Sequence, residues 1–324
     1  MKLSYQDVEP LLVASERLIS ETEMGFRRSL ANEIDWKDRL ICLKGPKGTG
    51  KTTLILQHLK ESFGARSDKA VYLALDHLWF ASHEILPVID WLYANSYTHV
   101  FLDEVHHAEN WQPLVKTICD FYPNLNVVYS GSSILKLTSM KADLSRRQAV
   151  YDLKGLSFRE FLELEGVLRQ GVLSVEDILK NHRRIAGKIC DSVKILPLFR
   201  RYLASGYYPF YREDAAHYGR KLVQVVNQVL ERDLPMAEDI TPDTVRKARK
   251  MLSILAASTP QTPNITELSR DLGMDRKQGI KILYLLNRAG LTGLLAEDAD
   301  ALKYLGAPSK IFCDNGNLMF ALAA

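Results

Sequence analysis

Long apolar runs are missing from this chain of 324 residues: no stretch approaches the roughly 18 apolar residues that a membrane-spanning helix needs, so no membrane partner is expected. Cysteine is scarce. Cys42, Cys119, Cys190 and Cys313 are scattered without CxxC spacing and lie mostly in apolar runs such as "LICLKG". That pattern excludes a disulfide scaffold and reads as buried, reduced thiols. Neither charge dominates: Lys and Arg number 42 against 39 Asp and Glu, a formal net charge of +3, too mild by itself to argue for nucleic acid. The opening residues "MKLSYQDVEPLLVASERL" bring acidic side chains early and no long apolar centre, unlike a signal peptide or an anchor, and a cytoplasmic protein is expected. Internal repeats and low-complexity linkers are also lacking. With 47% hydrophobic residues the chain can bury a full core, divided into about two or three domains by length.

The pattern along the chain suggests four segments. Residues 1–38 read as helical, with apolar Val8, Leu11, Leu12, Leu18 and Ile19 and a basic turn at Arg27 and Arg28. Residues 39–155 alternate short apolar runs ("LICLKG", "AVYLALD", "THVFLDE", "NVVYSGSS", "AVYDLKG") with helix-length stretches. Buried strands separated by helices indicate an α/β fold, a parallel sheet covered on both faces. Residues 156–239 turn helical. Residues 240–324 give three helical stretches and then the strand-like pieces "LTGLLAE" and "KIFCDN", the order of a winged helix-turn-helix.

Arg39 to Leu59, "RLICLKGPKGTGKTTLILQHL", runs from an apolar strand through a glycine-rich loop into an apolar helix. Gly45, Gly50, Lys51 and Thr52 fit G-x-x-x-x-G-K-[ST] in the right strand-loop-helix context, which a chance glycine turn would lack. In such a loop, Gly45, Pro46, Lys47, Gly48, Thr49, Gly50, Lys51, Thr52 and Thr53 wrap the phosphates of a nucleotide with inward N–H groups, and the following helix adds its dipole. Lys51 is expected to reach the β- and γ-phosphates and Thr52 to ligate Mg²⁺.

"THVFLDEVHHAENW" sets Asp103 and Glu104 where an apolar strand opens at its C-terminal end, the ligand edge of open α/β sheets. Asp103 suits a hold on Mg²⁺. Glu104, on the other side of the pleat or in the loop, suits polarisation of a water for attack on the γ-phosphate. Bare surface charge would explain the pair if the phosphate loop were absent. At the end of "NVVYSGSS", Ser130, Ser132 and Ser133 offer a hydroxyl to the γ-phosphate or the water, or only end a strand. Arg146 and Arg147 precede the last strand, where an arginine can neutralise transition-state charge in its own or a neighbouring subunit, or simply be solvated. Asp76 ends "VYLALD" and serves either the cation or a turn. His106 and His107 have no third ligand at metal spacing, so zinc is not expected and they read as loop residues.

Several stretches resemble the prokaryotic AAA-type ATPases that join a P-loop module to a C-terminal region of unknown function: "IDWKDRLICLKGPKGTGKTTLILQ", "VFLDEVHHAENW", "YSGSS", "LKGLSFREFL" and "YLASGYYPFY". The first two are generic to many ATPases; "LSFREFL" and the Gly-Tyr-Tyr-Pro stretch are more particular. The resemblance implies ATP as the nucleotide, an AAA-like fold related to signal-transducing and archaeal ATPases, and a winged-helix tail. It departs at "LSRRQAV", where that family usually shows Ala-Gly-Arg.

In the tail, "DRKQGIKILYLLNRAG" would be a recognition helix, with Arg276, Lys277 and Lys281 able to meet phosphates of double-stranded DNA and Ile280, Ile282, Leu283, Leu285 and Leu286 as apolar anchors. "VRKARK" adds charge nearby. Packing against a protein partner or a second copy explains such a module equally well. Two readings stay open: a Mg²⁺-dependent ATPase, slow or partner-stimulated, which needs Glu104, and a nucleotide-dependent switch with negligible turnover, which does not.

Overall fold

In the computed structural model, residues 3–108, 110–131, 144, 146–237, 240–258, 264–295, 308 and 310–323 are described. The chain folds as two compact units, 1–154 and 155–324, where the sequence pattern suggested four segments. Among the described residues, no helix is long and apolar enough to cross a membrane.

The first unit opens with α1 (Tyr5–Glu21), begun by a capping box between Ser4 and Asp7. It continues through β1 (Leu40–Lys44), α2 (Lys51–Phe63), β2 (Ala70–Ala74), α3 (Ile85–Ala94), β3 (His99–Asp103), α4 (Trp111–Phe121), β4 (Asn126–Gly131) and β5 (Ala149–Asp152). All strand pairs are parallel, in the order β2-β3-β4-β1-β5. Successive strand side chains alternate between faces. Leu40, Cys42, Val71, Leu73, Val100, Leu102, Val127 and Tyr129 enter the core shared with α3 and α4. Ile41, Leu43, Tyr72, Phe101 and Val128 enter the one shared with α2. Burial on both faces accounts for the unbroken apolar runs in the sequence. Helix α1 contributes to both cores, Val8 and Leu11 to the first and Ile19 to the second.

The second unit contains α5 (Phe158–Leu164), α6 (Val175–Ser192), α7 (Ile195–Ser205) and α8 (Tyr218–Gln228), the last running on through a π turn at Val229–Asp233 and a final turn Leu234–Ala237. After them come α9 (Pro242–Ala257), α10 (Ile265–Asp271), α11 (Arg276–Arg288), an antiparallel pair β6 (Thr292–Leu295) and β7 (Lys310–Cys313), and α12 (Gly316–Ala323). The particular stretches "LSFREFL" and "GYYPFY" meet each other here. Leu156 donates its N–H to the Tyr207 carbonyl at 2.7 Å and accepts from the Tyr202 hydroxyl at 2.7 Å. Phe161 packs against the Tyr202 and Tyr211 rings, 5.6 and 5.7 Å between centroids. Arg201 lies 5.5 Å over Phe161 and pairs with Glu165 at 2.6 Å. These stretches therefore pack against each other within the second unit.

Candidate functional site: a phosphate loop facing an acidic strand end

The phosphate loop follows β1, the penultimate strand of the sheet. Gly48 and Gly50 adopt φ of 81° and 91°, in the left-handed region that L side chains rarely enter, and so turn the backbone into the start of α2. Gly45 is required for space. A Cβ there would stand 2.2 Å from the Leu153 carbonyl oxygen, because β5 and the residue after it run directly beside β1. The loop is braced from three sides. Thr49 donates to the Pro46 carbonyl at 2.8 Å, and the buried Lys51 ammonium donates to the Gly45 and Pro46 carbonyls, each at 3.0 Å. Arg28, also buried, donates to the Thr49 and Lys154 carbonyls at 2.7 Å each. The sequence marked Arg28 only as part of a basic turn; that it clamps the loop across 21 residues of chain is visible only in the fold. Burial draws the Lys51 ammonium below its ordinary pKa, while the charges of Glu104 and Asp103 oppose that shift. Thr53 is exposed on the first turn of α2, while Thr52 faces inward.

Asp103 ends β3 on the face that carries Phe101, the α2 face, and is 2% exposed. The same alternation brings Tyr72 of β2 and Ser130 of β4 to that face. Four donors converge on the carboxylate. Thr52 Oγ1 reaches Oδ2 at 2.5 Å and the Tyr72 hydroxyl reaches it at 2.8 Å; Ser130 Oγ and the Glu104 N–H, the latter at 3.1 Å, bond Oδ1. A hydroxyl and a carboxylate in contact at the mouth of the phosphate loop fit the oxygen donors that Mg²⁺ takes. Ser130, expected to touch the γ-phosphate or the water, instead commits its hydroxyl proton to Asp103. Ser132 and Ser133 lie outside the described residues. Asp76 is exposed beyond the edge strand β2, which β3 and β4 separate from β1.

Sequence reading missed Tyr72. A signal was available: once β2 is placed beside β3 with Tyr72 opposite Phe101, Tyr72 is the diagonal neighbour of Asp103 on one face, within reach of a long side chain. Burial and the adjacent Asp103 charge push its phenol far above the ordinary range, so it remains a donor. Tyr72→Phe is expected to cost about 1 kcal/mol of stability and, if Thr52 and Asp103 hold Mg²⁺ for phosphate release, to raise several-fold the Mg²⁺ concentration needed for half the maximal rate. An unchanged Mg²⁺ dependence would show that Tyr72 does not position Asp103.

Glu104 leaves the strand in a left-handed conformation, φ 54°, uncommon for a residue with a side chain and typical of functional sites. Its Oε2 lies 3.2 Å from Nδ1 of His106, a buried residue of the turn Val105–His107. Glu104 thus supplies the third donor that the sequence pattern did not show for the histidine pair.

Arg147 sits elsewhere. It pairs with Asp120 near the end of α4, and it precedes β5, whose Ala149 stands opposite Ile41 near the start of β1. That is the edge of the sheet opposite the phosphate loop, which follows Lys44. Five-residue strands separate the two edges by about 16 Å, so Arg147 does not reach a γ-phosphate in its own subunit. Only the site of a neighbouring copy remains open to it.

Residues 37–162 match the family model of an AAA domain, and residues 196–323 match that of a domain of unknown function. The uncharacterized protein MJ1544 of Methanocaldococcus jannaschii is 22% identical over 169 residues, 49% of this chain and 37% of that protein, so the chain spans little more than a third of the relative's length. PCH-2 of C. elegans is 20% identical over 55% of this chain and 53% of its own, with a TM-score of 0.28. A DNA replication initiation factor is 13% identical over 89% and 95%, and AMPPCP-bound DnaA from Aquifex aeolicus is 16% identical over 84% and 86%; both give a TM-score of 0.31. The match to the AAA domain falls mostly on the first unit, an α/β domain with a five-stranded parallel sheet flanked by helices.

Proposed function

We propose that this chain, an AAA domain followed by a domain of unknown function, is a Mg²⁺-dependent ATPase. The observation that carries the reading is the 2.5 Å contact between Thr52 of the phosphate-loop helix and Asp103 of the acidic strand end, with Glu104 turned off the strand beside it. Backbone N–H groups of residues 45–51 and the start of α2 hold the phosphates. Lys51 exchanges two backbone carbonyls for phosphate oxygens, a donor that is already desolvated and aimed. Thr52 and Asp103 would hold Mg²⁺, which would neutralise charge developing on the phosphates. Glu104 accepts a proton from the attacking water. His106 at 3.2 Å holds that carboxylate in the resting arrangement, which favours slow basal turnover until a partner or neighbouring copy, to which Arg147 is accessible, completes the site.

We read α9 to α11 with β6 and β7 as a winged helix. Lys277, Lys281 and Tyr284 are exposed on one face of α11, while Ile282, Leu283, Leu285 and Leu286 are buried on the other. Cations and an aromatic ring on an open helix face support contact with the backbone of duplex DNA.

The test is phosphate release from Mg-ATP, wild type beside Glu104→Gln, with and without duplex DNA, after nucleotide binding is measured for both. Wild type is expected to turn over and Glu104→Gln to bind with undiminished affinity while releasing phosphate at least about 10²-fold more slowly. If both bind and neither turns over, with or without DNA, the ATPase reading gives way to a nucleotide-dependent switch.

A further inference from the structure

The turn after β3 gathers three side chains of metal-ligating type. One ligand atom from each of Glu104, His106 and His107 lies within 4.8 Å of the other two. Glu104 Oε2 and His106 Nδ1 are 3.2 Å apart, and the two imidazole rings stand 4.6 Å between centroids at 40°. Tetrahedral ligation at zinc distances sets neighbouring donors about 3.3 Å apart. The first pair already has that spacing. His107 is exposed, its ligand atom already within 4.8 Å of the other two, so a small rotation of its side chain suffices to complete the set. Backbone geometry makes the cluster compact: the left-handed residue Glu104 folds back over the 3-10 turn Val105–His107, so residues that would diverge along a strand converge.

The donor set decides the metal class. Two imidazoles and one carboxylate suit zinc, copper or nickel, whereas Mg²⁺ prefers oxygen alone and finds it at Thr52 and Asp103. The two sets are adjacent in sequence yet separate in chemistry. We propose that Glu104, His106 and His107 form an open, three-ligand site for Zn²⁺ or a similar borderline divalent cation, and that its occupation withdraws the Glu104 carboxylate from water and stops hydrolysis while nucleotide stays bound. The inhibitory consequence rests on the ATPase reading; the metal site does not. A device of this kind makes turnover sensitive to free transition metal at constant Mg²⁺.

The test titrates the metal-free 324-residue chain with Co²⁺, reading the visible absorption of tetrahedral cobalt, and then displaces it with Zn²⁺. Wild type is expected to take up one equivalent with a saturating band. His107→Asn, altered at an exposed position, is expected to keep its fold and its Mg-ATP turnover in metal-free buffer and to lose at least about 10-fold in Co²⁺ affinity. Glu104→Gln should lose the band as well. In parallel, Zn²⁺ should suppress phosphate release by wild type and leave His107→Asn active at the same concentration. Absence of a saturable cobalt band in wild type, or the same band and affinity in His107→Asn, overturns the site. A band with no suppression of a turnover that Glu104→Gln abolishes overturns the inhibitory role. A turnover that survives Glu104→Gln counts against the ATPase assignment of Glu104 instead, and the cobalt band still decides the site.

Discussion

Asp103→Ala is expected to lower the stability of the first unit by about 3–5 kcal/mol and phosphate release by about 10³-fold or more. The carboxylate is buried and accepts from Thr52, Tyr72, Ser130 and the Glu104 backbone at once. Alanine leaves three hydroxyls and one N–H without that acceptor; each unmade bond of a buried polar group costs about 1–3 kcal/mol, and relief of the buried carboxylate's desolvation offsets part of the sum. On the proposed ATPase reading the turnover loss has a different origin, removal of a charged oxygen that Mg²⁺ would need. Asp103→Asn separates the two effects. Hydroxyls both donate and accept, so they can rotate to satisfy an amide. Urea denaturation should therefore find Asn close to wild type and Ala well below it, while both fail to turn over Mg-ATP. An alanine variant as stable as wild type would mean that the convergence on Asp103 has no structural weight.

Asn317→Leu is expected to destabilise the second unit by about 3–5 kcal/mol, measured as an earlier unfolding transition of the full chain. Asn317 is 1% exposed at the start of α12, and all its polar atoms are used. Its amide donates to the Tyr202 and Leu203 carbonyls at 2.9 and 2.8 Å in the last turn of α7, where the Tyr202 carbonyl also accepts from the Gly206 N–H at 2.8 Å. Its oxygen accepts from the Tyr207 N–H at 2.9 Å and the Tyr218 hydroxyl at 2.5 Å. One amide thus ties α7, the Gly-Tyr-Tyr-Pro stretch, α8 and α12 together. Leucine keeps the branched outline, is larger, and satisfies none of these groups. Nucleotide binding by the first unit should be unaffected, and a parallel loss of both would refute the assignment of this role to the second unit alone.

What was legible in advance follows from locality. The phosphate loop could be read because its needs are met by consecutive residues: glycines where the backbone turns left-handed or passes beside β5, a lysine and a threonine at the start of a helix. The strand pattern around it was legible because double burial demands continuous apolar runs. Asp103 and Glu104 could be placed at the ligand edge for the same reason, since a strand end is a local property.

The partners of those residues were not local. Which hydroxyls meet Asp103 depends on β2, β3 and β4 lying side by side in register, so Tyr72 and Ser130 acquired their roles only through strand pairing. Arg147 could serve its own or a neighbouring subunit by its place before the last strand, and the parallel sheet put it at the edge opposite the phosphate loop. The histidine pair gained Glu104 only through one left-handed residue. By itself the sequence determined the chemistry available at the loop and the strand end, because backbone conformation and side-chain type are fixed residue by residue. Tertiary structure alone decided which of those groups touch, because hydrogen bonds and metal-donor sets require positions within a few ångströms that chain separation does not encode.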